Sequence, residues 1–356
     1  MFDALVVIVA CGRPVARVSP APPAPIVART ACGTYEIEAD GSVTRYRGNW
    51  APSWAPHAIS HPGPGTWVAP PGGRLAVYRD GGLLWRSRIK VASDEVVVHG
   101  SSIAFGRYTR YDANGPTLWM ARAGGREFRV APAEHPVGWT AGGLVTQHGQ
   151  RIRVRGPDGV VYRMLGYGRS AAYDTGNATV VFVRRDGAVF RTDGRHLWRL
   201  ARGVGRSAWV VVLGNRMLQV TERRRTLYLR PDGSRLGAGP PSPESVGGFP
   251  DGSIGYVVRE GATSSALGVN VVFLLDRAGR THRLYARRIL HASCGEYASV
   301  SYAGERILYF DDEGPIAVLD PTRGSRPLDL TRAFTMLQPK DPSRWQLYAD
   351  WLSNWR

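Results

Sequence analysis

Histidines and clustered carboxylates are the residues of this 356-residue chain that could bind a metal or act in acid–base chemistry. His57 and His61 are four residues apart, but they lie in APHAISHPGPG, whose prolines and glycines predict a loop. The run Asp311-Asp312-Glu313 offers oxygen ligands for calcium, and it equally suits a plain acidic turn between strands. We therefore expect no metal and no cofactor.

Nucleophilic and phosphate-binding motifs are missing from the sequence. Ser207 follows a glycine-rich turn, GVGRSAW, but lacks the second glycine of a Gly-x-Ser-x-Gly elbow, and no Gly-x-x-x-x-Gly-Lys-[Ser/Thr] loop occurs. His99 and His148 lie beside turn glycines, where they would line a pocket or simply face solvent. No catalytic residue is predicted.

The first of the three cysteines lies in a possible processing signal. Ile8-Val9-Ala10-Cys11 resembles a bacterial lipobox, which implies cleavage before Cys11 and a lipid on its thiol. The alternative is an ordinary apolar N-terminus. If Cys11 carries a lipid, Cys32 and Cys294 remain, and in an oxidising compartment we expect them to pair; two buried free thiols are the alternative. No Cys-x-x-Cys motif suggests zinc.

A proline-rich segment follows Cys11. SPAPPAP favours extended polyproline II, so residues 11–30 are predicted to be a tether after a truncated signal at 1–10. We place the start of the folded domain near Thr30. No stretch approaches the roughly 20 apolar residues of a membrane span, so contact with a membrane is expected only through the lipid.

The chain is strongly basic, with a net charge of +17 and a pI near 10.4. Nearly all of this charge comes from arginines spread along the chain, and the densest group is Arg223-Arg224-Arg225. No helix carries a stripe of them, so dedicated nucleic-acid binding is not predicted. A solvated basic surface suits anionic polymers of a cell surface.

Short apolar runs separated by glycine turns repeat along the sequence. Asp-Gly and Asn-Gly steps between alternating runs indicate hairpins, and four antiparallel strands every roughly 30–50 residues are typical of a β-propeller. We predict an all-β fold of seven blades, with six or eight as alternatives, because the hairpin at 34–47 completes the C-terminal blade or starts another. The predicted blades are 66–93, 94–134, 135–167, 168–203, 204–240, 241–289 and 292–330. Their turn glycines are Gly72, Gly100, Gly142, Gly176, Gly214, Gly252 and Gly304.

Two turns carry a family resemblance. VAPPGGRLAVYRD and GGFPDGSIGYVVRE resemble the Pro-Asp-Gly turn and following strand of TolB-like propellers, which are WD-repeat-like in architecture. The resemblance covers these turns and the loose repeat over residues 66–320. It implies an extracytoplasmic interaction scaffold without a specific partner. Asp174 and Asp251 take first-turn positions, and with nearby arginines they are candidates for a polar ring.

The last residues have a different pattern. In DPSRWQLYADWLSNWR, Asp341 as N-cap and Pro342 at the first position predict a helix within the segment 331–356. This helix would pack on the propeller or dock a partner. The predicted docking residues are Trp345, Tyr348, Trp351, Leu352 and Trp355.

Together these features predict a monomeric, non-enzymatic, extracytoplasmic propeller that is secreted or anchored at the cell envelope. Its partner would be a protein or an envelope polymer. Two alternatives stay open. One is a propeller hydrolase or lyase whose site residues meet in the central channel from distant parts of the sequence. The other is a cytoplasmic scaffold.

Overall fold

A computed structural model describes most of the chain between residues 15 and 351. The described ranges are 15–30, 32–46, 60–63, 66–69, 74–80, 82–90, 95–107, 115–205, 207–223, 225–240, 243, 245–261, 268–288, 299–303, 306–310, 316–319, 327–337 and 348–351. The chain divides into two compact units: residues 1–48 with 242–356, and residues 49–241. Within the described residues, no helix is long and apolar enough to cross a membrane.

Almost every element is a strand. The chain begins with β1 (Ile26–Thr30), β2 (Gly33–Ile37), β3 (Val43–Arg45), β4 (Ser60–Gly63), β5 (Thr66–Ala69), β6 (Arg74–Arg79), β7 (Gly82–Lys90), β8 (Val96–His99), β9 (Ser102–Arg107), β10 (Thr117–Arg122) and β11 (Phe128–Ala131). It continues with β12 (Glu134–Thr140), β13 (Gly143–His148), β14 (Arg151–Arg155), β15 (Val161–Asp174), β16 (Thr179–Arg184), β17 (Val189–Thr192), β18 (Leu197–Ala201), β19 (Trp209–Val212), β20 (Leu218–Thr221), β21 (Thr226–Leu229) and β22 (Arg235–Gly239). It ends with β23 (Ser245–Gly248), β24 (Ile254–Glu260), β25 (Val269–Leu275), β26 (Thr281–Arg288), β27 (Ser299–Ala303), β28 (Arg306–Phe310), β29 (Ile316–Leu319), β30 (Leu328–Asp329), α1 (Thr331–Thr335) and β31 (Tyr348–Trp351).

The unit 49–241 consists of antiparallel sheets built from consecutive strands. Their orders are β4-β5-β6-β7, β11-β10-β9-β8, β19-β20-β21-β22, and a seven-stranded sheet from β12 to β18. The 14-residue strand β15 belongs to two four-stranded groups, because it pairs with β14 up to Tyr167 and with β16 from Gly168 onward. The apolar clusters of the unit 49–241 consist of buried valines, leucines and aromatic residues from neighbouring four-stranded groups.

The unit formed by 1–48 and 242–356 contains three four-stranded sheets. Two use consecutive strands, β23 to β26 and β27 to β30, and the third has the order β3-β2-β1-β31. The third sheet therefore joins the two ends of the described chain. Its core includes Ile26, Ile37, Leu308 and Phe334, all essentially inaccessible to solvent.

The predicted turn positions agree with the strands wherever the chain is described. Gly100, Gly142, Gly176, Gly214 and Gly252 lie in the first hairpin turns of their groups, while Gly72 and Gly304 lie outside the described residues. The all-β prediction is confirmed. The loop predicted around His61 is wrong at Ser60–Gly63, which form β4. Because β4 is an edge strand, Pro62 can occupy it without a backbone donor.

The predicted domain boundary near Thr30 is wrong. β1 pairs with β2 along its full length, from Ile26 opposite Ile37 to Thr30 opposite Gly33, and Ile26, Val27 and Ala28 are fully buried. Val18 also packs into this core, and Arg17 forms a bridge to Ser42. The prolines do favour extended backbone, but extended backbone with apolar side chains can equally enter a sheet. Residues 15–30 are thus part of the folded unit.

The helix predicted over 341–356 is wrong at its centre, because Tyr348–Trp351 form β31. This strand pairs antiparallel with β1, with Ile26 opposite Trp351 and Arg29 opposite Tyr348. The segment forms a strand because β1, without β31, would have an unpaired edge whose backbone N–H and C=O groups need partners. The described helix in this part of the chain is the single turn α1, and Trp345, Leu352 and Trp355 lie outside the described residues.

Candidate binding pocket

A cavity of about 720 Å³ lies in the unit 49–241, between two turns of neighbouring strand groups. One turn, residues 123–127, connects β10 to β11; the other, residues 156–160, connects β14 to β15. We call this cavity the turn pocket. Its lining residues are Arg122, Gly125, Arg126, Phe128, Gly156, Pro157, Asp158, Val160 and Tyr162.

The turn pocket carries unneutralised positive charge. Arg122 and Arg126 are both exposed, and no carboxylate of the described residues forms an ion pair with either of them. Asp158 supplies the one carboxylate among the lining residues, and its Oδ1 accepts a hydrogen bond from the Val160 backbone N–H at 3.0 Å. Two guanidinium groups therefore face solvent beside one acidic turn residue.

An unusually apolar surface forms the other side of the turn pocket. Phe128, Val160 and Tyr162 are 38%, 61% and 55% exposed. Along β15 this surface continues to the exposed Met164 and Tyr167. Contiguous exposed side chains of this size mark interaction sites more often than they serve the fold.

A buried ion pair determines the shape of the 156–160 turn. Glu134 at the start of β12 is fully buried, and its two oxygens accept hydrogen bonds from Nε and Nη2 of Arg155, each at 2.7 Å. Arg155 then donates from Nη1 to the carbonyl oxygen of Gly159 at 2.5 Å. The side chains of Arg153 and Thr146 also donate to Glu134. Strand β14 thus anchors the turn from within the sheet.

Ionisation of Glu134 is essential to this arrangement. Burial opposes its charge, but the hydrogen bonds from Arg155 and Thr146 and the charges of Arg155 and Arg153 outweigh burial, so the pKa of Glu134 is lowered. The carboxylate therefore remains charged at neutral pH, and the bidentate geometry keeps Arg155 in one orientation.

The 123–127 turn is also fixed by contacts with its neighbours. Trp85 donates from its indole N–H to the carbonyl oxygen of Gly125 at 3.4 Å. Oε1 of Glu127 accepts hydrogen bonds from the backbone N–H groups of Arg88 and Ile89 at 2.9 and 3.0 Å. Both walls of the turn pocket are therefore held by groups outside it, which favours a preformed site.

Gly159 brings the two walls together. Its φ is +83°, and a side chain there would place Cβ 3.1 Å from Val130 Cγ1 and 3.5 Å from Phe128 Cε2. Glycine is needed for both the backbone conformation and the close approach.

The residues singled out in the sequence lie elsewhere. His99 is exposed at the end of β8, and His148 is partly buried at the end of β13; neither lines the turn pocket. Ser207 is exposed in the turn before β19. His57, Asp311, Asp312 and Glu313 lie outside the described residues, as do Cys11 and Cys294. Among the described residues, no three His, Cys, Asp or Glu side chains are grouped as metal ligands would be.

Asp174 does collect arginines, as its turn position suggested. It is 1% exposed, and its Oδ2 lies 3.6 Å from Arg191 Nη2 and 3.5 Å from Arg216 Nε. Asp251 instead accepts hydrogen bonds from the backbone and hydroxyl of Ser253 within its own turn. A polar ring that includes both aspartates therefore stays a prediction.

Cys32 occupies the turn between β1 and β2 and is disulfide-bonded, while its predicted partner Cys294 lies outside the described residues. The pairing itself stays a prediction. The residues of the turn pocket were not identified from the sequence. Their signal was present in the large apolar residues at solvent-facing positions, as in GVVYRML at the start of β15, but these positions are recognisable only once strand order is known.

Comparison with known proteins gives a fold but no family. No family model matches the chain, and no curated protein matches it. The structure of apo AztD from Citrobacter koseri is similar to this one, and the match covers 91% of this chain and 96% of the AztD chain. The sequence identity is 14% and the TM-score is 0.56. A second AztD structure from that organism matches with 12% sequence identity and a TM-score of 0.54, and the match covers the same shares of both chains. The computationally designed Ika8 protein matches with 11% sequence identity and a TM-score of 0.50, and the match covers 87% of this chain and 98% of the Ika8 chain. This likeness indicates a β-propeller.

Proposed function

We propose that this protein is a non-enzymatic interaction scaffold that binds a partner protein at the turn pocket. One observation carries the proposal: two arginines without an ion-pair partner among the described residues lie beside an exposed apolar wall, in a pocket whose two turns are held by hydrogen bonds. Binding sites combine these features, because apolar area supplies affinity and charge supplies orientation.

We further propose that each four-stranded group is one propeller blade. The described strands form eight such groups when β15 is counted in two of them, which favours the eight-bladed alternative over seven blades. Residues 26–45 and 348–351 together would form one of these blades.

The proposed location is outside the cytoplasm, with the protein monomeric and held at the envelope by a lipid on Cys11. The lipobox-like Ile8-Val9-Ala10-Cys11 and the disulfide at Cys32 support this location. Intact mass of the protein from its native host tests it. A lipid adduct on Cys11, loss of the first ten residues and a Cys32–Cys294 bond are expected. Three free thiols on an unprocessed chain would place it in the cytoplasm.

The binding role is tested by affinity capture from an envelope extract. We expect the wild-type protein to retain a discrete partner that R122E/R126E loses. The control is R202E, because Arg202 is also exposed and lies outside the pocket. Equal capture by all three proteins would remove the turn pocket from the proposal, and turnover of a substrate that needs no partner would favour an enzyme.

A further inference from the structure

The chemistry of the turn pocket specifies its occupant more closely than the proposed function, on which this inference rests. We infer that the turn pocket binds an acidic peptide segment of the partner, with one apolar side chain in the cavity and flanking carboxylates on Arg122 and Arg126. A guanidinium group recognises a carboxylate through two parallel hydrogen bonds, and an exposed one is free to form them.

Charge complementarity favours an acidic occupant of the turn pocket. Arg122 at the end of β10 and Arg126 in the turn that follows it lie four residues apart, and neither is neutralised by a carboxylate of the described chain. The whole molecule carries a net charge of +17, so an acidic segment is attracted from a distance as well as at contact.

The apolar wall of the turn pocket favours a peptide with an apolar side chain over a polyanion that carries charge alone. Phe128, Val160 and Tyr162 present aromatic and aliphatic surface that an apolar peptide side chain would cover, whereas a bare phosphate chain has no group that packs on it. Asp158 would also repel a continuous line of phosphates. In a peptide complex, its Oδ2 can accept a hydrogen bond from a backbone N–H, because Oδ1 already accepts from Val160.

The surface beyond the cavity fits an extended segment. Tyr162, Met164 and Tyr167 are exposed along β15, and the guanidinium of Arg185 lies 5.6 Å from the centre of the Tyr167 ring. Five residues of strand span about 17 Å. An apolar stripe of that length with arginines at both ends matches a short peptide whose apolar residues are flanked by acidic ones.

The test uses a fluorescein-labelled peptide, Glu-Asp-Phe-Leu-Asp-Glu, and fluorescence anisotropy. We expect saturable binding to the full chain that weakens at least tenfold in R122E/R126E and about tenfold or more in Y162A, while R202E binds as the wild type does. Circular dichroism verifies that each variant is folded. Two altered peptides separate the contributions: Gly-Gly in place of Phe-Leu, and lysine in place of every acidic residue, both of which should bind at least tenfold more weakly.

Three results would overturn the inference. The first is equal binding of the Gly-Gly peptide, and the second is equally effective displacement by oligothymidylate of matched charge; both would identify a general polyanion surface. The third is absence of peptide binding although affinity capture depends on Arg122 and Arg126, which would leave the proposed function standing with a different occupant. If capture also ignores these arginines, the proposed function fails as well.

Discussion

Glu134 shows how one buried charge supports a site that it does not touch. Its carboxylate holds Arg155, Arg155 holds the carbonyl of Gly159, and the turn that contains Gly159 lines the pocket. Removal of one partner from a buried ion pair leaves the other charge uncompensated, which costs more than the pair contributes.

We expect Glu134→Gln to lower the free energy of unfolding by about 3 kcal/mol at pH 7. Because the pKa of Glu134 is lowered in the folded protein, its contribution is fully present above the unfolded-state pKa of about 4.3, and it is lost as pH falls from there through the lower folded-state pKa. Denaturant unfolding at pH 7 measures the loss of stability, and the same experiment at pH 3.5 measures how that loss depends on pH. The control E260Q, at a half-exposed pair with Arg283, should change stability by less than about 1 kcal/mol. Equal losses in the two variants would refute the buried-pair account.

His135 is a second titrating residue beside this network. Its Nδ1 lies 2.9 Å from both carboxylate oxygens of Glu95, and that hydrogen bond raises the pKa of His135 against the opposing effect of burial. We expect an NMR titration of its ring to have a midpoint above about 6.5, and lower in Glu95→Gln.

A raised histidine pKa stabilises the fold below the unfolded-state pKa, and this contribution disappears as pH rises through the folded-state pKa. The stability difference between the wild type and Glu95→Gln should accordingly be larger at pH 5.5 than at pH 8.5. A difference that does not change with pH would show that the pair is not ionic.

Strand-to-strand packing in the unit 49–241 depends on close approach at Gly138 of β12. A Cβ there would lie 2.1 Å from Cδ2 of Tyr173 on β15, whose hydroxyl donates to the carbonyl oxygen of Trp139 at 2.6 Å. This hydrogen bond holds the ring in place against Gly138.

We expect Gly138→Ala to destabilise the protein by about 2–3 kcal/mol. Gly214→Ala is the matched control, since no atom lies within 4 Å of a Cβ at that turn position, and it should change stability by less than about 0.5 kcal/mol. Thermal unfolding compares the two. An equal shift in melting temperature would mean that the contact with Tyr173 does not limit packing.

The first strand is an integral element of its unit. Deletion of residues 1–30 removes β1, which lies between β2 and β31, and with it the buried Ile26 and Ala28. We expect this deletion to abolish cooperative unfolding of the unit, whereas deletion of residues 1–14 should preserve it. Limited proteolysis with calorimetry distinguishes them, and a fully cooperative product of the longer deletion would restore the boundary near Thr30.

At the scale of the molecule, the repeat was readable because its signals are local. Asp-Gly and Asn-Gly steps mark hairpins within a few residues, so the turn at Asp251-Gly252 followed from the sequence. β31 was not readable, because its partner β1 lies at the other end of the chain and its own tryptophan spacing also suits a helix. The turn pocket was missed for a related reason, since Arg122 and Tyr162 meet only through the packing of two strand groups.

Photo-crosslinking in the native host from benzoylphenylalanine at position 162 tests directly whether the turn pocket binds a partner. Position 336 provides the control, because Met336 is also large, apolar and well exposed but lies in the other unit. We expect a discrete crosslinked partner from position 162 that disappears when Arg122 and Arg126 are changed to glutamate, and no such product from position 336. Identical products from both positions, or a product from position 162 that ignores the two arginines, would contradict it.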